Sequence, residues 1–492
     1  MKLSFHGADQ GVTGSCHMVE CAGKRILIDC GLYQGGRELD EENSQPFGFD
    51  PASIDYVLLT HAHLDHCGRL PLLTKRGFHG EIITTAPSRE LARLVMLDAA
   101  HLQEEDARYR ARIAARGSST GHPTAPLYSA LDALNSFDHF GRMAAYDEPI
   151  EVADGVRATF IDAGHILGSA SIYLQLTESS RQSTMLFSGD LGKAGGPLLC
   201  DPAKPPAAAS VVMETTYGDR LHKALGPSVE EFYDAVTDTF RRGGNVVVPT
   251  FALERAQELL YFLSQGIDHG RLTKSTQVFV DSPMAISATE IMRRHLDGLR
   301  PEIAKLIRDG NDPFHFPGLH FTRESAESVA INDIHGGAII MAGSGMCTGG
   351  RVRHHLQHNL GREDSSVVFV GYAAAGTLAR HIIDGAKEVE IFGERIPVRA
   401  RIYTINGFSA HADQADLLAW QKQTGAKRTF LVHGEEETMR SFATHLGNTR
   451  IDLPEPNQVF ELWAASARTR ALPTANSIRP VLGMPKPMIR LS

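Results

Sequence analysis

The sequence holds no run of about 18 consecutive apolar residues, so no membrane-spanning helix is expected. Its first residues, MKLSFHGADQGVTGS, lack the apolar centre of a leader peptide, so no secretory signal is expected either. Cysteine is sparse and scattered: Cys16, Cys21, Cys30, Cys67, Cys200 and Cys347 include no Cys-x-x-Cys pair. That excludes the spacing of a zinc ribbon and argues against a disulfide framework. Buried free thiols fit a reducing, cytoplasmic location. Excess positive charge is also missing, since 49 Lys and Arg stand against 58 Asp and Glu for a formal charge of −9. This argues against indiscriminate binding to nucleic acid but permits a local basic groove. No internal repeat or low-complexity tract is present.

What the chain does have is length and histidine. At 492 residues it exceeds one ordinary core, and 42% apolar with 22% charged residues is the balance of a globular protein. The first 200 residues read as short strands, tight turns and helices: RILIDCG (25–31), YVLLT (56–60), VRATFIDAGH (156–165), ASIYLQLT (170–177) and TMLFSGD (184–190) have strand character. Residues 88–115 read as a long amphipathic helix with Ser88 as its N-cap, and SSTGHPTAP (118–126) as a loop. CDPAKPPAAAS (200–210) reads as a boundary. Helices then alternate with near-continuous apolar strands, the pattern of a parallel α/β sheet, until strand character returns from about 398 with a helix near 413–423. The coarse organisation is one domain interrupted by an inserted α/β domain.

The 23 histidines are not evenly informative. LLTHAHLDHCGRL (58–70) puts His61, His63, Asp65 and His66 within six positions, directly after an apolar strand. In a helical H-E-x-x-H site the helix pitch gathers the ligands. Here the donors are alternate or adjacent, so a loop has to turn them onto common metals: two imidazoles for one ion and an Asp–His pair for a second. Zinc takes such N and O donors. Two metals need further ligands. His165, Asp190 and His433 each end an apolar run, where side chains of neighbouring strands converge on one sheet edge. Cys67, beside His66, reads as a packed thiol, since a solvent nucleophile needs no cysteine.

Taken together these motifs resemble the metallo-β-lactamase fold and its β-CASP nucleases, in the form similar to the nuclease subunit of the cleavage and polyadenylation specificity factor. LIDCG with Asp29, HAHLDHCG, the loop with His165 and SGDLG with Asp190 match the superfamily motifs in order. METTYGDRLH with Glu214, FSAHAD with His411 and LVHGE with His433 match the β-CASP motifs A, B and C; PTFALERAQELL, GSGMCTGGR and GTLARHI match segments of the inserted domain. The resemblance implies an αββα sandwich with an inserted parallel-sheet α/β domain. Its parts would be residues 1–210, an insertion at 211–395, and 396–492. It implies two Zn²⁺ per chain, one on His61, His63 and His165, the other on Asp65, His66 and His433, with Asp190 bridging and Asp29 orienting the histidine loop. Asp65, Asp190, Glu214 and His411 would be the catalytic set, His411 acting as general acid with Glu214 holding it.

The implied reaction is phosphodiester hydrolysis in single-stranded RNA, by endonuclease action, 5′-to-3′ exonuclease action or both, leaving a 5′-phosphate. Histidine at motif C, where some DNA-processing relatives carry valine, favours RNA. Ser344 and Gly345 of the glycine-rich loop, with Thr377, Arg380 and His381, are expected against RNA phosphates. Arg351, Arg353, His354 and His355 form a basic cluster that faces either the RNA backbone or solvent. A homodimer is implied by the resemblance only. The same zinc pair opening a small ester, thioester or lactone is the competing hydrolase reading, and a redox or pure binding protein is the reading of another class. Glu214, His411 and the long insertion count against the first; the full set of ligands and the lack of a flavin-type module count against the second.

Overall fold

A computed structural model describes residues 1–35, 37–115, 125–371, 373 and 376–462. Residues 463–492, and all but the last two residues of the loop expected at 118–126, lie outside the described residues. No helix among the described residues is long and apolar enough to cross a membrane.

Two seven-stranded sheets pack face to face. The first runs in the order Val459–Glu461, Lys2–Phe5, His17–Cys21, Lys24–Ile28, Tyr56–Leu58, Glu81–Thr85, Phe140–Ala144. The second runs Arg450–Asp452, Arg428–Val432, Ser210–Glu214, Arg181–Phe187, Ala170–Glu178, Val156–Asp162, Pro149–Ala153. Strand alternation decides which side chains meet. Leu3, Phe5, Ile26, Ile28 and Leu58 of the first sheet bury themselves against Phe160, Ile172, Leu174, Met185, Phe187 and Phe430 of the second. The opposite faces are apolar too. Leu27, Val57 and Ile82 pack under the helices Leu70–Lys75 and Ala86–Ala115. Val211, Met213 and Leu431 pack under Gln414–Thr424 and Glu436–Ala443. Helix, sheet, sheet, helix is the layer order, as expected. One local expectation fails: the long helix begins at Ala86, and Ser88 lies inside it with its hydroxyl donating to the Gly168 carbonyl at 2.8 Å, so it does not cap. The helix 413–423 is found as Gln414–Thr424, capped by Asp413.

The third sheet is all parallel, in the order Leu319–Phe321, Gln277–Asp281, Ala338–Ala342, Val246–Pro249, Ser366–Phe369, Arg401–Thr404. Both of its faces are covered. Phe232, Val236, Leu259 and Leu263 pack against Val246, Val248 and Val280 on one side. Val352, Leu356 and Ile382 pack against Val247 and Val367 on the other. Continuous apolar strands therefore appear here, as parallel sheets require. The first of these cores continues through Leu167, Leu198 and Leu199 into the sandwich, so the two units share packing.

The third sheet also carries a buried ionic network that the sequence did not reveal. Asp281, wholly buried, accepts from Ser328 Oγ at 2.6 Å, His355 Nε2 at 2.7 Å and Arg351 Nη1 at 2.7 Å. Burial alone would raise the Asp281 pKa; the bonds from His355, Ser328 and Arg351 outweigh it and lower it. His355 is thus buried and belongs to no face presented to RNA or solvent, whereas the Arg351 guanidinium turns toward Asp281 with its side chain still 23% exposed. Arg353 and His354 instead flank the exposed ring of Phe392, at 4.4 Å and 4.5 Å. Asp281→Ala takes the shared carboxylate from a buried imidazole and a partly buried guanidinium and is expected to destabilise the protein by about 3–5 kcal/mol. Urea unfolding measures this, and a loss under about 1 kcal/mol would put the network in the class of surface pairs.

Candidate metal centre

Strand direction brings the donors together. Lys24–Ile28 and Tyr56–Leu58 are parallel, so Asp29 and His61 leave the first sheet at one edge. In the second sheet Arg181–Phe187, Ser210–Glu214 and Arg428–Val432 are parallel, and Val156–Asp162 points the same way after two antiparallel pairings. His165, Asp190, Glu214 and His433 therefore sit at the corresponding edge of that sheet. Two glycines let the turns close. A Cβ on Gly31 would stand 1.6 Å from the Asp65 carbonyl oxygen, and one on Gly192 would stand 1.9 Å from the Gly164 carbonyl oxygen. Only glycine allows the Asp29 turn to meet the short helix Leu64–Cys67, where the structure puts Asp65 and His66 rather than on the expected loop, and the Asp190 turn to meet the His165 loop. Asp29 (φ 63°) and His433 (φ 51°) are themselves held in the left-handed region, which disfavours side chains with a Cβ.

The donors form two groups. His61, His63, His165 and Asp190 offer ligand atoms within 4.8 Å of one another, and so do Asp65, His66 and His433. Asp190 serves both: Oδ2 lies 3.5 Å from His61 Nε2 and 3.6 Å from His165 Nε2, while Oδ1 lies 3.3 Å from His66 Nε2. Oδ1 has no hydrogen-bond partner although Asp190 is buried.

Hydrogen bonds fix which nitrogens carry protons. The Thr60 hydroxyl donates to Asp29 Oδ2 at 2.8 Å and so accepts from His61 Nδ1 at 3.0 Å. His66 Nδ1 donates to Asp29 Oδ2 at 2.7 Å, and His165 Nδ1 to the Ala410 carbonyl at 3.3 Å. The Thr216 hydroxyl donates to the His433 carbonyl at 3.2 Å and accepts from His433 Nδ1 at 3.1 Å. Each neutral ring is left with a lone pair at Nε2. Yet His61 Nε2 and His165 Nε2 each face His63 Nδ1 at 3.1 Å, and His66 Nε2 faces His433 Nε2 at 3.2 Å. Ring nitrogens crowded at such distances around an orphaned carboxylate oxygen are the arrangement that a cation relieves. The residues fit zinc in donor type and number.

The electrostatics agree. Burial holds His61 and His165 below the ordinary histidine pKa and takes His63 down to about 3, so all three stay neutral. Burial opposes ionisation of Asp190 too, but His433, His66 and His61 push its pKa well down. Asp65 is also lowered, against burial, by the bond to His433 and the nearby His66. His66 is raised well above its usual value because Asp190 and Asp29 outweigh burial. That half of the centre favours positive charge.

A third group adjoins the other two: Asp190, Glu214 and His411. Glu214 Oε1 accepts the Leu191 N–H at 2.6 Å and lies 3.3 Å from His411 Nδ1. Burial lowers the His411 pKa, but Glu214 and then Asp190 and Asp65 raise it to about 9. The His411 side chain is 22% exposed against 1% for Glu214 and 2% for Asp190, so His411 with partly open Asp65 forms the mouth of the centre.

The residues expected at phosphates belong to none of these three groups. Ser344 and Gly345 belong to the loop after Ala338–Ala342, and the Ala379 N–H donates to the Met346 carbonyl at 3.2 Å, tying that loop to 377–381. Thr377 is buried and caps the helix Leu378–Ile383 by accepting from the Arg380 N–H; Arg380 pairs with Asp384, and His381 is exposed. Thr60 and Thr216, which set the imidazole tautomers, were missed in the sequence. Thr60 directly precedes His61, which was a signal; Thr216 gave none.

Three family models match. The metallo-beta-lactamase superfamily covers residues 10–250, the Beta-Casp domain 256–382, and a Zn-dependent metallo-hydrolase RNA specificity domain 395–454. A protein of Thermus thermophilus named a ribonuclease is 38% identical over 439 residues, covering 89% of this chain and 94% of its own. A transcription termination factor of Methanothermobacter thermautotrophicus is 33% identical over 482 residues, covering 92% of this chain and 70% of its own. A solved structure of a protein from Enterococcus faecalis shares the fold alone, with a TM-score of 0.50 at 12% identity over 93% of this chain and 99% of that one.

Proposed function

Because the chain belongs to the metallo-beta-lactamase superfamily and carries its Beta-Casp domain, we propose that it is a ribonuclease that hydrolyses phosphodiester bonds of single-stranded RNA with two zinc ions. The observation that carries this reading is Asp190, which turns one carboxylate oxygen to each of two histidine groups while Glu214 and His411 stand beside it. His61, His63 and His165 would hold one ion and Asp65, His66 and His433 the other, with Asp190 between. When bound, the ions supply an attacking water of low pKa and stabilise charge on both sides of an in-line displacement at phosphorus.

The chain's own residues do the rest. Asp29 holds His66 and, through Thr60, His61 in the ligating tautomer. Glu214 Oε1 accepts a hydrogen bond from His411 Nδ1, so Nε2 is the nitrogen left for the substrate. From Nε2, His411 delivers a proton to the departing ribose oxygen. Ser344 and the backbone of its loop, with Thr377, Arg380 and His381 nearby, would guide phosphates along the inserted domain. The division into 1–210, 211–395 and 396–492 belongs to this reading, as do a cytoplasmic location and a homodimer.

The test is cleavage of single-stranded RNAs labelled at either end, with 5′-hydroxyl and 5′-monophosphate versions, beside a panel of chromogenic esters and lactones. The expected result is RNA cleavage to 5′-phosphate products that a chelator abolishes and zinc restores. Internal fragments mark endonuclease action; release of mononucleotides from a 5′-monophosphate end marks exonuclease action. Ester turnover with intact RNA would overturn the reading.

A further inference from the structure

The loop Thr250–Glu254 presents the side chain of Phe251 outward, 39% exposed, from the end of the central strand Val246–Pro249. Most of the loop is fixed: the Thr250 N–H donates to the Ala342 carbonyl at 3.0 Å, and Ala252 and Leu253 are buried in the core that includes Leu167 and Leu198. Only Phe251 is turned out. Its ring rests on glycine. A Cβ on Gly345 would come within 2.8 Å of two ring carbons, and a Cβ on Gly371 within 3.6 Å of one. Gly345 and Gly371 follow the two strands that flank Val246–Pro249, Ala338–Ala342 and Ser366–Phe369. Bare backbone at these positions gives the ring its seat, while no other aromatic ring or cation covers it among the described residues. The other exposed phenylalanine, Phe392, differs: Arg353 and His354 already stack on it.

The position is that of a ligand contact. It lies at the carboxyl edge of a parallel sheet, where such sheets bind their ligands, beside the loop that carries Ser344. The same segment reaches the metal centre. Glu254, three residues on, accepts the Leu167 N–H, and Glu254 and Glu258 line one cavity with His165, Lys193, Ser409 and Ala410.

We propose that Phe251 is a stacking platform for one nucleobase of the bound single strand, an inference that rests on the RNA-cleaving reading above. A flexible strand whose phosphates are guided by a backbone loop gains little rigidity from phosphate contacts alone. Stacking on an aromatic face fixes a base without regard to its identity, as nonspecific single-strand binders require.

The test is steady-state cleavage of a labelled RNA decamer by the zinc-loaded full chain. Phe251→Ala and Phe251→Leu should raise KM roughly 5- to 150-fold with kcat nearly unchanged, the range for loss of one base stack. Phe251→Trp should keep KM within about twofold of the parent, since an indole also stacks. A series of decamers, each with one abasic nucleotide, should contain a position that raises KM for the parent and not for Phe251→Ala. Equal KM for Phe251→Leu and the parent, or no such abasic position, would overturn the platform and leave the ribonuclease reading standing. Absence of RNA cleavage by the parent, with esters turned over, would overturn both. Thermal unfolding of each variant separates misfolding from a lost contact, and an unfolded Phe251→Ala leaves Leu and Trp to decide.

Discussion

Asp190→Ala is expected to release most of the zinc, from near two ions per chain to well below one, and to abolish RNA cleavage with it. Asp190 contributes to both histidine groups, and its orphaned Oδ1 lies 3.3 Å from His66 Nε2. On the two-zinc reading, removing it takes a ligand from each ion, and it also removes the charge that raises His66 and His433. Changes to residues that merely orient ligands weaken metal binding roughly 10–100-fold, so loss of a shared ligand should exceed that. Metal analysis after dialysis against a weak chelator reads the first effect, and end-labelled RNA the second. Two ions retained with full cleavage would remove Asp190 from the centre.

His411→Ala separates chemistry from metal binding. No metal-holding role is assigned to His411, so zinc content should stay within error while RNA cleavage slows by about 10²–10⁴, the usual span for a lost acid–base group. The pH profile gives an independent check. A general acid works while protonated, so cleavage should fall as pH rises through the His411 pKa. Glu214, Asp190 and Asp65 hold that pKa up to about 9 against burial; cations on the two aspartates offset their share, so the alkaline limb should lie at or below about 9. Glu214→Gln keeps an acceptor for the Leu191 N–H but loses the charge, and should move the limb to lower pH. A limb that stays in place in Glu214→Gln, or undiminished cleavage by His411→Ala, would take this pair out of the mechanism.

Legibility in the sequence followed the range of each interaction. Strands such as Arg181–Phe187 and the all-apolar Val246–Val248 declared themselves because side-chain alternation and run length are set by near neighbours. The side chains that the structure gathers were legible because His165, Asp190 and His433 each close such a run, so their position on a sheet edge followed from the strands. Ser88 misled because a hydroxyl before an apolar stretch looks the same whether it caps a helix or reaches a carbonyl 80 residues away. Arg351 and His355 misled for the same reason: their acceptor, Asp281, lies 70 and 74 residues away in sequence.

The sequence by itself therefore determined the kind of protein: which residues can donate to metals, which segments are strands, and that a parallel α/β unit interrupts a sandwich. The tertiary structure alone decided how Asp190 divides its oxygens, that Glu214 lies 3.3 Å from His411, which imidazole nitrogens carry protons, and that Phe251 stays uncovered on glycine. The physical reason is that propensity and alternation act over a few residues, whereas tautomer, charge state and exposure are set by groups hundreds of residues away that meet only when the sheets close.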